Sequence, residues 1–295
     1  MILVTGSSGF IGSYVVRSLI ERRERVRAFD IREMALEDDR LEFVEGDIRR
    51  LEDVERAVSG CDGIIHLAAQ IDVGKSLEDP LYDFEENAIG ALNCLIAAKK
   101  FGVKRFVYSS SAAVYGQPRQ APVSEDEEPI PISPYGISKL TAERYVLNYA
   151  KIHKLSAIAL RIFNVYGKGQ SSKSSYSGVI TKFFSRVMSG KPPVIYGDGK
   201  QVRDFVHVLD VCNAVIKAYD SDVSGCAINI GTGVGTSVIR LAEMIIKTCN
   251  MEGLEPIFEP ERKGDIRYSI ADVRNAKLLL SWEAKIALED GLRML

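Results

Sequence analysis

The apolar positions of this chain change period repeatedly, and the changes mark its elements. The opening run Met1-Ile2-Leu3-Val4 is short and continuous, as a strand buried on both faces requires. From Ile11 the spacing lengthens: Ile11, Val15, Val16, Leu19 and Ile20 recur at helical intervals and predict a helix. Further apolar runs at 25–30, 41–45, 63–69 and 105–108 predict four more strands, the last running into the serines 109–111. Helical spacing predicts helices near 81–100, 135–153 and 206–218, and residues 227–231 read as a strand returning to the main sheet. Strands alternating with helices predict an α/β fold with a doubly wound parallel sheet. Residues 1–165, with about 203–231, would form that domain, and 166–202 with 232–295 a smaller C-terminal substrate domain. The Gly/Ser/Lys-rich stretch 167–178 reads as a mobile lid or linker.

The first strand-to-helix turn carries Gly6, Gly9 and Gly12, spaced three apart. Gly6 permits a tight turn, Gly9 lets backbone approach a pyrophosphate, and Gly12 lets helix and strand pack closely. Unclaimed N–H groups and the positive dipole end of the helix favour phosphate there. Asp30 ends the second strand about 20 residues later, where a carboxylate suits both hydroxyls of an adenosine ribose. The pattern is that of a Rossmann sheet binding NAD, although Arg32 leaves room for NADP and Asp30 also reads as a plain turn residue. His66, inside an apolar run, reads as a packed strand histidine.

Tyr135 and Lys139 stand four residues apart, on one face of the predicted helix. A phenol ionises near pH ~10, and lowering it by ~3 units takes roughly 4 kcal/mol, about what one adjacent cation supplies at an effective dielectric of ~20. An oxidised nicotinamide would add a second positive charge. The pair reads as a general acid/base unit, with Lys139 lowering the phenol, although the same spacing occurs on ordinary surface helices.

The 295 residues suffice for one large domain or two modest ones. With 38 basic and 40 acidic residues the net charge is −2, which gives no general attraction to nucleic acid or to a membrane surface. Five scattered cysteines and three isolated histidines offer no metal-ligand spacing, so no metal is expected. The first residues already belong to a strand rather than a signal peptide, and no apolar run approaches membrane-spanning length. A reducing cytoplasm is the expected home.

Taken together, the chain resembles the extended short-chain dehydrogenase/reductase family, in its nucleotide-sugar epimerase and dehydratase branch. The resemblance runs through nearly the whole chain: Thr5-Gly6-x-x-Gly9-x-x-Gly12, Asp30, Gly46-Asp47-Ile48, His66-Leu67-Ala68-Ala69, Asn87, 109–116, Ser133-Pro134-Tyr135-Gly136 through Lys139, Arg161-x-Phe163-Asn164-x-Tyr166-Gly167, Gly197-Asp198-Gly199, Arg203-Asp204-Phe205, Gly264-Asp265 and Ala271-Asp272. It implies that Asp47 and Ile48 border the adenine, that Ala68, Ala69 and Gln70 follow the pyrophosphate and ribose, and that Asn87 holds the cofactor side. Phe10, Ile11, Ile31, Leu67, Ser109 and Phe163 complete the implied NAD contacts, with Tyr135 and Lys139. It also implies Ser111 as the catalytic hydroxyl, Asn164, Arg203 and Arg262 on a diphosphate, and Val179 and Tyr196 around a uridine. Guanidinium forks suit a diphosphate, although Arg203 could instead pair with Asp204.

Within the branch, 4,6-dehydratases place Asp and Glu where this chain has Ala112 and Ala113, and uronate decarboxylases usually place Glu at the second position. Methyl groups carry no protons. Ser111, Tyr135, Lys139 and NAD are then the inventory of a UDP-hexose 4-epimerase. Ser269, four residues after Asp265, stands where hexose-restricted relatives carry a bulky tyrosine, so N-acetylhexosamines are expected to fit as well. The loop 169–180 also resembles that of acetamido-tolerant relatives. The alternatives are a nucleotide-sugar oxidoreductase with net NAD(P)H turnover and a non-catalytic NAD(P)-binding sensor. Helices near 81–100 and 135–153 are where similar proteins pair, so a homodimer is expected.

Overall fold

The computed structural model describes residues 1–170, 178–261 and 264–295. Its first part runs β1 (Ile2–Thr5), α1 (Phe10–Glu21), β2 (Val26–Asp30), β3 (Leu41–Glu45), α2 (Leu51–Val58), β4 (Gly63–His66), α3 (Val73–Glu78), α4 (Pro80–Phe84), α5 (Gly90–Phe101), β5 (Arg105–Ser111), α6 (Pro134–His153) and β6 (Ser156–Ile162). The second continues with β7 (Asn164–Tyr166), α7 (Val179–Met188), β8 (Val194–Tyr196), β9 (Val202–His207), α8 (Val208–Asp220), β10 (Ala227–Ile230), β11 (Gly235–Ser237), α9 (Val238–Thr248), β12 (Ile257–Glu259), β13 (Tyr268–Ser269), α10 (Arg274–Leu280) and α11 (Leu288–Arg293).

Seven parallel strands form the central sheet in the order β10-β6-β5-β4-β1-β2-β3. This is the doubly wound α/β architecture that the alternation of apolar runs predicts. Successive residues of a strand face opposite sides, and the apolar runs therefore feed two cores. Ile2 and Val4 pack with Val15, Val16 and Leu19 of α1 and with Val211 and Val215 of α8. Leu3, between them, packs with Val54 of α2, Leu95 of α5 and Val146 of α6. Burying one such side chain is worth roughly 2 kcal/mol, so continuous apolar strands are held on both faces.

The chain reverses direction across the sheet between β1 and β4, which are hydrogen-bonded neighbours. Such a switch point opens a crevice at the carboxyl ends of the strands. A third cluster lies apart from the sheet, where Ile180, Phe183 and Val187 of α7 pack on Ile195, on Leu241 and Ile245 of α9, and on Leu292. A smaller sheet, β11-β9-β13 with β7 also on β9, stands beside it.

Four elements differ from the sequence expectation. The fourth strand ends at His66, so Leu67, Ala68 and Ala69 leave the sheet rather than extend it. The fifth continues through the serines to Ser111, because each of them pairs with β6. The helix expected from Val206 starts at Val208; Val206 and His207 stay in β9, and the His207 ring accepts from the Leu209 N–H at 3.3 Å as its cap. The helix near 81–100 is interrupted by one π turn over Glu85–Ile89 between α4 and α5. The 135–153 helix forms as expected, opened by Pro134 and capped by the Ser133 hydroxyl, which accepts from the Gly136 N–H at 3.1 Å.

Candidate active site

The crevice above β1 and β4 encloses about 490 Å³. Its floor is the glycine turn. Gly6 has φ +68, and a Cβ there would sit 2.6 Å from the Ala68 backbone nitrogen, so only glycine fits. A Cβ on Gly12 would overlap the Gly6 carbonyl oxygen, which lets α1 pack against the turn itself. Helix α1 begins after Gly9 with no side chain capping it, so its first N–H groups are open to an anion. Asp30 is buried at the rim and accepts from the Ser8 N–H and the Arg32 N–H, each at 3.0 Å. It is thus both a turn residue and a wall of the crevice, and each oxygen keeps a lone pair to offer.

Of the residues expected around NAD, Gly6, Gly9, Phe10, Ile11, Gly12, Asp30, Ile31, Asp47, Ile48, Leu67, Ala68, Ala69, Ser109, Tyr135 and Lys139 all line this one cavity. Gln70, Asn87 and Phe163 are not among its walls. Phe163 is buried with Val114, Tyr115, Val123 and Ala271, between the main sheet and the later part of the chain. Asn87 is buried behind the cavity and donates to the Gln70 carbonyl (3.0 Å), to Asp83 (3.1 Å) and to the Ser138 hydroxyl (3.1 Å). Sequence reasoning missed Ser8, Gly46, Ile71, Asp72 and Glu86, which also line it. They stand beside recognised motif residues, but only the folded loops turn them inward.

Tyr135 and Lys139 enter from the first turns of α6, whose cap fixes their direction. Tyr135 is half-buried and lines the cavity. Ser111, at the last position of β5, accepts from the Ala113 N–H at 3.2 Å. The Lys139 ammonium lies over the Tyr108 ring, 4.6 Å from its centre.

The electrostatics correct one expectation. The phenol of Tyr135 is raised, not lowered: burial pushes it up, Ser111 pulls it down, and the Asp83 charge pushes it up again. Lys139 is itself lowered by burial to about 7, against the opposing pull of Asp83 and Glu143. Linear spacing brings the two groups together but carries no information about desolvation. His66 is the packed strand residue expected: burial holds its pKa down to about 3, and Nδ1 meets the Thr5 hydroxyl at 2.8 Å.

Two buried carboxylates stand behind the pair. Glu143, one turn beyond Lys139, is paired with Arg161 at 2.7 Å and accepts from the Ser110 hydroxyl at 2.6 Å. Asp83, fully buried, accepts from the Ser138 hydroxyl (2.6 Å), Gln70 Nε2 (2.8 Å) and Asn87 Nδ2 (3.1 Å). Neither carboxylate was singled out in the sequence. The spacing of Asp83 and Asn87, four apart in one helical stretch, was the available signal.

Among the described residues, none of those expected around a nucleotide sugar lines this cavity. Arg203 on β9 pairs with Asp265 at 2.5 Å, not with Asp204. Asp204 faces inward and is taken by N–H groups of Thr232, Gly233 and Ala271 and by the Thr232 hydroxyl. Burial lowers the Arg203 pKa and Asp265 opposes the shift. Ser269 on β13 is in register with Arg203, so Arg203, Asp265 and Ser269 meet in one patch. Gln201 joins it, donating to Asp265 at 3.3 Å and to the Tyr196 carbonyl at 2.8 Å. Val179 opens α7, and Asn164 opens β7 with an exposed side chain. Arg262 and most of the loop 167–178 lie outside the described residues.

A profile of the NAD dependent epimerase/dehydratase family matches residues 2–231. The chain belongs to that family. A putative UDP-glucose 4-epimerase of Methanocaldococcus jannaschii is 37% identical over 301 residues, covering 99% of this chain and 96% of the relative. The crystal structure of UDP-glucose 4-epimerase from Thermotoga maritima with UDP-glucose superposes with a TM-score of 0.94 at 39% identity, covering 99% of this chain and 96% of that one. A UDP-N-acetylglucosamine 4-epimerase from Methanobrevibacter ruminantium, in complex with UDP-N-acetylmuramic acid, gives 0.93 at 34% identity, with 99% and 96% covered. For a member of an NAD-dependent family, the crevice fits its dinucleotide. Glycines where a Cβ would fill the cradle, an open helix N-terminus and a rim carboxylate occupy the places that pyrophosphate and ribose need.

Proposed function

We propose that this protein interconverts UDP-glucose and UDP-galactose by NAD-dependent epimerisation at carbon 4. The observation that carries the reading is the placing of Tyr135 and Lys139 together on one wall of the dinucleotide crevice, where Ser111 pulls the phenol down. Relatives named as UDP-glucose 4-epimerases support the substrate.

In this reading NAD, when bound, supplies reversible hydride acceptance from carbon 4. The Gly6–Gly12 turn and the α1 N-terminus hold its pyrophosphate, and Asp30 holds the adenosine ribose. Tyr135 removes the proton of the sugar 4-hydroxyl and returns it after the sugar has presented its other face. Ser111 hydrogen-bonds the same oxygen and directs it at the phenol. Lys139 binds the nicotinamide ribose, and its charge favours the phenolate when the ammonium form is present. Ala112 and Ala113 follow Ser111 in a short 3-10 turn and carry no acid for a second elimination or decarboxylation step. Arg203 grips the diphosphate, so binding energy is placed on the part of the substrate that does not react.

Incubation with UDP-glucose and separation of the products tests the reading. UDP-galactose should accumulate without net NADH release, and Tyr135→Phe should lower the rate about a thousandfold. Stoichiometric NADH release would favour the oxidoreductase alternative, and an unchanged rate in the variant would remove Tyr135 from the reaction. Ser269, beside Arg203 and without a bulky ring, supports acceptance of the N-acetylhexosamine pair. A homodimer is supported by apolar side chains exposed on α3, α4 and α6, namely Leu77, Leu81, Phe84, Ile137, Tyr145 and Ile152. Five free thiols accord with a cytoplasmic home.

A further inference from the structure

The acid/base pair stands before two buried carboxylates, and the two are not equivalent. Glu143 is neutralised in place: the Arg161 guanidinium reaches both of its oxygens, through Nη2 to Oε1 at 2.7 Å and Nε to Oε2 at 3.1 Å. Asp83 has no such partner. Its three hydrogen-bond donors, Ser138, Gln70 and Asn87, are all neutral. Three donors are the environment of an ionised carboxylate. A buried charge without an opposite charge is costly, so a cation within its field is the element that completes this arrangement.

Lys139 stands next to the Ser138 contact in the chain. Ser138, which grips Asp83 at 2.6 Å, is the residue before Lys139. The π turn at Glu85–Ile89 begins two residues after Asp83 and sets Asn87 against both Asp83 and Ser138, which docks α4 on the first turn of α6. Around Lys139, β4 contributes His66 and β5 the Tyr108 ring, both uncharged, while α6 itself contributes Glu143, already bound to Arg161. Asp83, from α4, is the anion left over. Around Tyr135 the groups are Ser111 and Tyr108 from β5 and again Asp83.

We propose that Asp83 is the fixed counter-ion of the acid/base unit, a positioning residue whose buried charge holds Lys139 in its ammonium form inside a water-poor site. The proposal rests on the reading of Tyr135 and Lys139 as the acid/base pair. It has a second consequence for the phenol, since the same anion opposes Tyr135 phenolate. Asp83 therefore keeps both protons in the site, one on nitrogen and one on oxygen, until the positive charge of an oxidised nicotinamide offsets it. Burial lowers the Lys139 pKa to about 7 against the opposing pull of Asp83 and Glu143. Without Asp83, the Lys139 ammonium would lose one of the two anions that oppose its burial.

The test reads Lys139 directly. Protein loaded with NAD and labelled with 13C at lysine Cε is titrated by NMR, and the Lys139 signal is assigned by its loss in Lys139→Arg. In Asp83→Asn, Lys139 should release its proton at least tenfold more readily, a shift of about one pH unit or more. In Asp83→Glu, which keeps the charge, it should stay near the parent value. Both limbs of the pH–rate profile should move to lower pH in Asp83→Asn. Should Asp83→Asn not fold, Asp83→Ser replaces it as the neutral variant. A Lys139 titration unchanged in the neutral variant overturns the proposal, even if activity falls, because loss of packing alone lowers the plateau without moving a titration. Since the NMR measurement does not depend on turnover, absence of epimerase activity in the parent protein would count against the proposed function alone.

Discussion

The dinucleotide crevice and the patch around Arg203 are built by different means. The crevice is made mostly of backbone: a glycine turn at φ +68, an uncapped helix end, and strand termini held by the parallel sheet. The patch is made of side chains that satisfy one another, Arg203 on Asp265, Asp265 on Gln201, with Ser269 in register on the adjacent strand. A backbone site is fixed before any ligand arrives. A side-chain site of this kind must exchange an internal ion pair for a ligand's charges, so it can be retuned by one substitution while the sheet stays as it is.

This contrast gives three experiments. The largest effect belongs to the rigid side. Gly12→Ala places a Cβ on the Gly6 carbonyl, so the turn must shift, and NAD affinity should fall about a thousandfold; overpacking of this kind costs several kcal/mol when backbone is the obstacle. Calorimetric titration with NAD measures it, and near-parental affinity would show the turn to be pliable. Next, Arg203→Ala should raise KM for UDP-glucose about thirtyfold, the worth of one charge-assisted hydrogen bond at roughly 2 kcal/mol, and leave NAD affinity alone. A matching loss of NAD affinity would mean that the two regions are coupled. The smallest change is in selectivity: Ser269→Tyr should lower turnover of UDP-N-acetylglucosamine about tenfold relative to UDP-glucose. Equal effects on both sugars would move Ser269 away from the acetamido position.

The same contrast explains what was legible in the sequence. The glycines, Asp30 and the period changes describe backbone, and backbone follows local rules, so the sheet and the crevice could be read directly. The i, i+4 relation of Tyr135 and Lys139 was equally readable. Its electrostatic sign was not, because the shift of each group is dominated by burial, which comes from β4, β5 and α4 and not from their own helix. Arg203 was recognised, but its ion pair with Asp265 was not foreseen, the alternative weighed being Asp204. Asp204, its neighbour in sequence, points to the opposite face of β9 and is taken by Thr232 and Gly233. Phe163 was misplaced for a related reason: it lies one residue past the β6 terminus, where the chain turns inward to the small cluster with Tyr115 and Val123.

The π turn between α4 and α5 carries a constraint on chain length. A π turn holds one residue more than the α-helical path between the same ends, and this one lies between two separately anchored buried side chains, Asp83 before it and Asn93 after it. Asn93 is anchored to the Ile48 and Arg49 carbonyls on the far side of the dinucleotide crevice. Deleting a single residue from Glu85–Ile89 would leave a regular helix between the same ends, yet it would shift Asn87 off its contacts with Asp83 and Ser138. The extra residue therefore serves to aim one side chain, Asn87, rather than to join two helices.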